Sequence, residues 1–259
     1  MRRIAHVSDL HFGRVAPGVL EPLRRKLVQL APHLLVVSGD LTQRARAWQF
    51  REARGYLDRL PKPQLVVPGN HDVPLYDVIR RFLFPLTRYR RHISAELAPE
   101  FIDEEIAVFG VNTARSLVFK GGRVSEKQIA RVRQKIDATG RQVVTMVVTH
   151  HPFMALEKLA DCRIDVLLAG HLHATRVGHT ADRYRIAGLS ALMVQAGTAT
   201  SSRTRAEPNS FNLLRVAAER IEIDQYVLRG REFSRVSTEA FERGRGGWRR
   251  RGSQKAASA

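Results

Sequence analysis

Cysteine, long apolar runs and acidic side chains are all scarce in this sequence of 259 residues. The single cysteine, Cys162, excludes a disulfide within the chain and any metal site built from several thiolates. No stretch of about 18 consecutive apolar residues occurs, so the sequence predicts no transmembrane helix. His6, Ser8 and Asp9 interrupt the apolar N-terminal segment, which therefore does not resemble a secretory signal. We expect a cytoplasmic protein.

The charge balance is strongly basic. Lys and Arg number 43 against 25 Asp and Glu, which gives a formal net charge of +18. Such a field attracts anions of any kind, but it does not identify a substrate. It leaves open a peripheral contact of the basic surface with an anionic membrane or with nucleic acid, and a homodimer is also left open. Hydrophobic residues make up 44% of the chain, which is typical of a globular protein.

Short β-branched runs alternate with helical patterns through the first 190 residues. Helical spacing is clear in EPLRRKLVQLA and ARAWQFREARGYLDRL, and Ser125 with Gln128 forms a capping box that predicts a further helix. This alternation predicts a layered α/β fold. After residue 190, FNLLRVAAERIEIDQYVLR predicts a β-hairpin turning near residues 218 to 220, in a second sheet or an extension of the first. Residues 1–240 are therefore predicted to form the domain, and the basic segment 241–259 a disordered tail.

Five predicted strands are each followed by a short motif that contains His, Asp or Asn. These motifs are SDLH (8–11), GDLT (39–42), GNHD (69–72), THHP (149–152) and GHLH (170–173). In α/β sheets, sites lie outside the carboxyl ends of the strands, so we expect the five motifs to meet at one edge. A glycine before the ligand-type residue in three of them predicts a sharp turn or a close approach of backbone.

The spacing within two motifs suggests how their side chains converge. In an extended chain, residues i and i+2 point the same way, about 6 to 7 Å apart along the strand. On that basis His171 and His173 reach one small cluster together, and the same spacing serves Asp9 and His11. A histidine pair taken alone is more often structural, so the inference depends on all five motifs.

The side chains of these motifs suit a particular set of metals. Imidazole and carboxylate without thiolate favour Mn, Fe, Co or Zn in a catalytic site. Seven candidate ligands are too many for one ion and fit two divalent ions about 3.5 to 4 Å apart. Such a pair needs a bridging carboxylate, and Asp40, the one acid of its motif, is the natural bridge.

The ordered motifs resemble those of the calcineurin-like metallophosphoesterases, D-x-H, G-D, G-N-H-[DE], H and G-H-x-H, across about residues 3 to 200. The resemblance implies a four-layer αββα sandwich of two mixed β-sheets flanked by helices. It also implies a metal-ligand set and leaves His71 as the catalytic residue that contacts phosphate or protonates the leaving oxygen. The implied ligands are Asp9, His11 and His173 on one metal, Asn70, His150 and His171 on the other, and Asp40 between them. The choice of His150 over His151 rests on the family pattern.

The function that we expect is hydrolysis of a small phosphodiester, of the cyclic nucleotide or glycerophosphodiester type, by a hydroxide that bridges the two metals. The resemblance is to small bacterial members of the class III cyclic nucleotide phosphodiesterase type. Alternatives within the same fold are a UDP-linked lipid pyrophosphohydrolase, a nuclease and a phosphomonoesterase. A binding module without catalysis is a further alternative, which the complete ligand set and His71 argue against.

Two arginine-containing segments are candidates for binding the substrate. Residues 74–95 form an arginine-dense, cap-like insertion in which Arg80, Arg81 and Arg88 could pair with phosphate, since guanidinium binds phosphate bidentately. The alternative for this insertion is an amphipathic surface helix with a solvated basic face. Arg203 lies in a polar loop that follows the last motif, and a connecting loop is the preferred interpretation of this segment.

Overall fold

The computed structural model describes residues 1–116, 122–152, 159, 162–179, 191–202, 207–244 and 246–255. The helices in these ranges are α1 (Leu20–Leu30), α2 (Ala47–Leu57), α3 (Val78–Leu83), α4 (Thr87–His92) and α5 (Glu126–Asp137). The strands are β1 (Arg2–Val7), β2 (Leu34–Val37), β3 (Gln64–Val66), β4 (Glu100–Ile102), β5 (Ile106–Gly110), β6 (Val144–Val148), β7 (Val166–Ala169), β8 (Arg176–His179), β9 (Leu192–Gln195), β10 (Ser210–Ala217), β11 (Arg220–Arg229), β12 (Glu232–Gly244) and β13 (Gly247–Lys255).

The strands form two mixed sheets. The first has seven strands in the order β13-β12-β11-β10-β1-β2-β3, and the second has six in the order β4-β5-β6-β7-β9-β8. Within the first sheet β1, β2 and β3 run parallel, and within the second β5, β6, β7 and β9 run parallel. The remaining described pairings are antiparallel.

The buried apolar side chains divide into layers. One cluster joins the facing surfaces of the two sheets, with Val36 from the first and Val148 from the second among its members. A second cluster packs α1 and α2 on the outer surface of the first sheet, and a third packs α5 on the outer surface of the second. Strand residues therefore alternate between two buried faces, as sheets covered on both sides require. The predicted αββα sandwich is confirmed.

Several local predictions are also confirmed. The two long helical patterns correspond to α1 and α2, and Ser125 caps α5 by accepting a hydrogen bond from the backbone N–H of Gln128 at 3.3 Å. The predicted hairpin is β10 and β11, in which Ala217 pairs with Arg220. This hairpin extends the first sheet through the pairing of β10 with β1.

The prediction of a disordered tail from residue 241 is wrong for the described residues. The proposed boundary falls inside β12, and β13 pairs with β12 as an antiparallel hairpin. Trp248 is only 2% exposed, packs in the core between the sheets and donates from Nε1 to Asp165 Oδ1 at 3.0 Å. Cross-strand pairs such as Arg251 with Glu242 offset the basic charge. Two aromatic anchors, Phe241 and Trp248, therefore fix a segment whose composition alone suggested disorder.

The cap-like insertion folds as the short helices α3 and α4. Tyr89 holds α4 to the first sheet, because its ring is fully buried and its hydroxyl donates to the Val66 carbonyl at 2.9 Å. None of the described helices combines the length and apolar character that a membrane span requires. The expected cytoplasmic location stays a prediction.

Candidate metal centre

The five motifs lie at the carboxyl ends of five strands. The strands are β1, β2 and β3 of the first sheet and β6 and β7 of the second, and the motifs begin within a few residues of where each strand ends. Because these strands are parallel within their sheets and the sheets pack face to face, all five ends meet at one edge. Candidate groups of metal ligands therefore form there from residues as distant as Asp9 and His173.

The first group consists of Asp9, His11 and His173. The Nε2 atoms of the two histidines lie 3.4 Å apart, and Asp9 Oδ1 lies 3.5 Å from His11 Nε2 and 3.4 Å from His173 Nε2. These three atoms converge at separations longer than those of a charge-assisted hydrogen bond, which are about 2.7 to 2.9 Å. Such spacing suits a cation held between them.

The second group centres on Asp40, Asn70 and His150. His150 Nε2 lies 3.3 Å from Asp40 Oδ2 and 3.2 Å from Asn70 Oδ1. The same Asp40 Oδ2 lies 3.7 Å from His11 Nε2, so this carboxylate stands between the two groups. That is the position predicted for the bridge.

His171 and His151 adjoin the second group. The His171 ring centroid lies 5.2 Å from that of His150 and 4.5 Å from that of His151. Ligand atoms of these three histidines lie within 4.8 Å of one another, so geometry alone does not separate His150 from His151 as a ligand. Both rings use Nδ1 in a hydrogen bond, His150 with the Ser38 carbonyl and His151 with the Thr113 hydroxyl, and His150 Nε2 lies beside Asp40 and Asn70. The choice of His150 as the ligand stays a prediction.

The backbone at these residues corrects the extended-chain prediction. β1 ends at Val7 and β7 at Ala169, before the paired side chains. Left-handed backbone occurs instead at Asp9, His11, Asp40, His171 and His173, with φ between 48° and 74°. These are five of the seven non-glycine residues with positive φ in the described chain. Since this conformation is disfavoured for such residues and clusters at functional sites, the local strain marks a site that the surrounding fold enforces.

Two glycines allow the loops to approach closely, as their positions in the motifs predicted. A Cβ at Gly69 would lie 2.1 Å from Asp40 Oδ1, and one at Gly170 would lie 1.9 Å from Ser8 Oγ and 2.8 Å from Asp9 Oδ2. Neither distance can hold two heavy atoms without movement. Any side chain at these positions would therefore displace the carboxylates of the centre.

Hydrogen bonds from outside the motifs orient the candidate ligands. His150 Nδ1 donates to the Ser38 carbonyl at 2.8 Å, which directs its Nε2 at Asp40 and Asn70. Thr198 donates to the Asp9 carbonyl at 2.8 Å and Thr200 to the Leu10 carbonyl at 2.6 Å. Metal-binding histidines commonly donate their second ring N–H in this way. The two threonines follow β9, and no motif in the sequence indicated them.

Asp72 of GNHD is a buried loop-capping acid. It accepts backbone hydrogen bonds from Leu41 at 3.2 Å, Thr42 at 2.9 Å and Gly69 at 2.9 Å, and a fourth from the Thr42 hydroxyl. Burial and the charge of Asp40 raise the pKa of Asp72 to about 6, although the backbone bonds oppose the rise. Asp72 thus joins the loops after β2 and β3, which carry Asp40 and Asn70.

The electrostatics favour cationic occupants of the centre. Burial alone would raise the pKa of Asp40, but the neighbouring His150, His71 and His11 together hold that pKa well below the usual range. Burial alone would lower the pKa of His150, but Asp40, Asp9 and the Ser38 carbonyl together raise it to about 9. Burial, with the charge of His150, lowers the pKa of His171 to about 4, so this ring is neutral at pH 7. Buried carboxylates that remain ionised need positive charge, which a metal supplies.

The donor set fits two divalent ions. Carboxylate oxygens, imidazole nitrogens and one amide oxygen converge in two adjoining groups, and no cysteine is within reach of a ligand role, since the single cysteine packs under α5. The identity of the metals as Mn, Fe, Zn or Co stays a prediction.

His71 lies beside both groups. Its ring centroid is 4.8 Å from that of His11, and its backbone N–H donates to Asp40 Oδ1 at 2.8 Å. Its Nδ1 donates to the Gln43 carbonyl at 2.9 Å, which fixes the ring orientation. A ligand atom of His71 also lies within 4.8 Å of ligand atoms of His11 and Asp40.

The predicted substrate-binding arginines differ in exposure and in the groups that they contact. Arg80 is exposed and pairs with Asp77 at 2.8 Å, whereas Arg81 is buried and donates to the Pro74 carbonyl at 2.8 Å. Arg88 donates to the Ala45 carbonyl at 2.8 Å. Arg203 lies outside the described residues. A substrate-binding role for the four stays a prediction.

A basic cleft next to His71 was missed in the sequence. It has a volume of about 390 Å³ and is lined by Arg14, Arg44, Arg46, Trp48 and Gln43, whose carbonyl holds His71. A larger cleft of about 720 Å³ shares Arg14 and Trp48 and continues along apolar side chains. The signal was the segment QRARAW directly after GDLT, whose basic residues alternate with other side chains.

Comparison with known proteins agrees with this geometry. The family model described as calcineurin-like phosphoesterase matches residues 2–175, which is more than half of the chain. This chain belongs to the calcineurin-like phosphoesterase family. It is a metallophosphoesterase with buried His and Asp groups of the kind that hold metal.

Individual relatives are similar over shorter stretches. The UDP-2,3-diacylglucosamine pyrophosphatase LpxG of Chlamydia muridarum is 34% identical over 77 residues, which cover 29% of this chain and 23% of that protein. A probable cyclic nucleotide phosphodiesterase of a Synechococcus species is 30% identical over 80 residues, 27% of this chain and 31% of that protein. The chain thus spans less than a third of the length of either relative. The solved structure of PhoD matches 99% of this chain and 72% of its own chain with a TM-score of 0.70 at 10% identity, which shows a shared fold.

Proposed function

We propose that the protein is a phosphodiesterase that uses two divalent metal ions to hydrolyse a small phosphodiester. The observation that carries the proposal is the position of Asp40, whose Oδ2 lies between His150 Nε2 at 3.3 Å and His11 Nε2 at 3.7 Å. A carboxylate shared by two imidazole-rich groups is the arrangement that a two-metal hydrolase needs. The predicted ligands are Asp9, His11, Asp40, Asn70, His150, His171 and His173.

The chain's own residues have distinct roles in this proposal. Bound cations would supply Lewis-acid charge to the phosphoryl oxygens and lower the pKa of a coordinated water. Asp9 would hold one cation and Asp40 both, while Ser38 orients His150 and Thr198 orients the backbone at Asp9 through the hydrogen bonds described above. In its imidazolium form, His71 would give the Nε2 proton to the departing oxygen and keep the Nδ1 proton hydrogen-bonded to the Gln43 carbonyl, which orients the ring.

The basic cleft supports a substrate with a large leaving group. It adjoins His71 through Gln43, whose carbonyl accepts from His71 Nδ1, and its Arg14, Arg44 and Arg46 can pair with a second anionic group. The Trp48 ring, 40% exposed, offers a surface on which a nucleobase can stack. A diester has a substituent on each side of phosphorus, and this cleft can hold one of them. A cyclic nucleotide has no second anionic group, but its base can stack on Trp48, so cyclic nucleotides are the first substrates to test.

A UDP-linked lipid pyrophosphate is the second candidate, and the same cleft favours it. Its second phosphate and uracil ring would use the arginines and Trp48. The Chlamydia relative is named as a UDP-2,3-diacylglucosamine pyrophosphatase, which also favours this substrate class, although the similarity covers 23% of that protein. A phosphomonoester with a nucleoside leaving group would also fill this cleft, so the comparison of diester with monoester rests on the substrate panel.

A substrate panel tests the proposal. The purified protein, with its metals quantified, is assayed in Mn²⁺ with bis(p-nitrophenyl) phosphate, p-nitrophenyl phosphate, cyclic AMP, a UDP-linked lipid and single-stranded DNA at moderate salt. We expect the diesters to be cleaved with higher kcat/KM than the monoester. Preference for the monoester, or cleavage of DNA without cleavage of small diesters, would overturn the assignment.

The variant His71→Ala tests whether the site is catalytic. We expect kcat on cyclic AMP, whose leaving alkoxide needs a proton, to fall by at least about 100-fold, the usual contribution of a positioned acid, with little change in bound metal. His33→Ala is the matched control, because His33 adjoins the start of β2 at the opposite end of the strand from GDLT. Metal binding without turnover in the wild type would instead indicate a non-catalytic binding module.

A further inference from the structure

Helix α3 is built with its apolar side chains outward. Val78, Ile79, Phe82 and Leu83 are exposed, while Arg81 on the same helix is 3% exposed and donates to the Pro74 carbonyl at 2.8 Å. A helix that served only to cover the core would present the opposite pattern, because burying apolar side chains is favourable and burying a guanidinium is costly. The orientation of α3 therefore indicates that its outer, apolar face is a surface for binding a partner.

The exposed apolar residues are concentrated in this one segment. Of ten large hydrophobic residues exposed in the described chain, six lie between residues 76 and 84, with exposures from 47% to 77%. Single exposed apolar residues are ordinary, but a contiguous patch marks an interaction surface. We call these residues the docking face: Tyr76, Val78, Ile79, Phe82, Leu83 and Phe84.

Charge indicates the nature of the surface that the docking face contacts. Residues 74–95 carry five arginines against one acid, Asp77, and the whole chain has a formal charge of +18. A second copy of the chain would bring two strongly positive bodies together, which is unfavourable. An apolar face flanked by arginine matches the boundary between anionic headgroups and acyl chains.

We propose that the docking face binds the surface of an anionic lipid bilayer and holds the metal centre against it. Tyr76 is four residues beyond Asp72, and the guanidinium of Arg44 lies over its ring at 5.6 Å, so the docking face adjoins the basic cleft. Docking would thus turn the mouth of the cleft towards the headgroup layer. This inference goes beyond the proposed reaction and does not depend on it.

Sedimentation with vesicles tests the proposal. Vesicles of equal parts phosphatidylcholine and phosphatidylglycerol are compared with vesicles of phosphatidylcholine alone. We expect the full chain to sediment with the mixed vesicles and to dissociate as salt rises, because surface charge is screened. In the double variant Ile79→Glu with Phe82→Glu, we expect the partition coefficient to fall by at least about tenfold, since both changes place charge in the acyl region.

The control separates this face from general surface charge. Val28→Glu makes the same kind of change at an apolar residue of α1 that is 49% exposed, and it should leave vesicle binding nearly unchanged. Hydrogen exchange of the wild type with and without mixed vesicles gives a second measurement that needs no variant, and we expect added protection over residues 76–84. Turnover of bis(p-nitrophenyl) phosphate in the same samples reports separately on the proposed function.

Several results would overturn the proposal. They are no sedimentation of the wild type with mixed vesicles, equal binding to phosphatidylcholine alone, and unchanged binding by the double variant. A concentration-dependent dimer, or DNA binding, that the double variant abolishes would assign the face to a different partner. If the double variant loses vesicle binding but keeps full turnover of bis(p-nitrophenyl) phosphate, the result supports the docking face whatever the natural substrate is.

Discussion

The metal-centre edge and the cap segment 74–95 adjoin each other, yet they are stabilised in opposite ways. At the edge, side chains are buried, paired and held in left-handed backbone by contacts from several strands. In the cap, α3 exposes its apolar side chains and α4 is held mainly by the buried Tyr89. The edge is therefore preorganised for chemistry, whereas the outer face of the cap gains its burial only from a partner.

The largest effect should come from removing the shared carboxylate. We expect Asp40→Ala to lower kcat/KM on bis(p-nitrophenyl) phosphate by more than about 100-fold and to reduce bound metal, because both groups lose a ligand at once. Activity and metal content are measured on the same sample. Asp58→Ala is the control. The Asp58 side chain is exposed and pairs with Arg54, so its removal should leave activity and metal content unchanged. Full metal content in Asp40→Ala would contradict the shared position.

A smaller effect, on stability, is expected from Asp72→Asn. Both oxygens of Asp72 accept hydrogen bonds from N–H or hydroxyl donors, and an amide supplies only one oxygen. The amide NH₂ must then face another donor, so the free energy of unfolding should fall by about 2 kcal/mol. Urea denaturation measures it, with Asp58→Asn as the control. A loss below about 0.5 kcal/mol, the usual range for a surface change, would mean that the loops do not depend on Asp72.

The smallest effect should come from the cap. Ile79→Ser changes a side chain that is 70% exposed, so we expect the free energy of unfolding to change by no more than about 0.5 kcal/mol. The same urea experiment measures it, and Leu23→Ser, at a fully buried position of α1, provides the contrast. A loss of about 2 kcal/mol or more for Ile79→Ser would show that the cap buries this residue and would remove the contrast between the two regions.

The predictions that succeeded used short segments of the chain. The capping box at Ser125 and Gln128, the hairpin turn before Arg220 and the five motifs after strands each depend on neighbours in sequence. The family resemblance then supplied the layer order, which alternation alone left as an unspecified α/β arrangement.

The predictions that failed depended on contacts between distant residues. The tail was expected to be disordered because glycine and arginine dominate it, but Trp248 packs between the sheets and bonds to Asp165, 83 residues away in the sequence. The expectation that His171 and His173 share an extended strand was wrong because β7 ends before them. The alternative of a solvated basic helix face is wrong at Arg81, which lies inward.

Residue identity at the ends of five strands indicated the chemistry, because imidazole and carboxylate side chains that converge from five motifs at one sheet edge form a metal-ligand set. The tertiary structure alone decides which of these side-chain atoms come into contact. The position of Asp40 between His11 and His150, the cleft beside His71 and the outward face of α3 arise from the packing of two sheets and the loops around them. Long-range contacts of this kind leave no periodic signal in the chain, since each depends on residues far apart in the sequence.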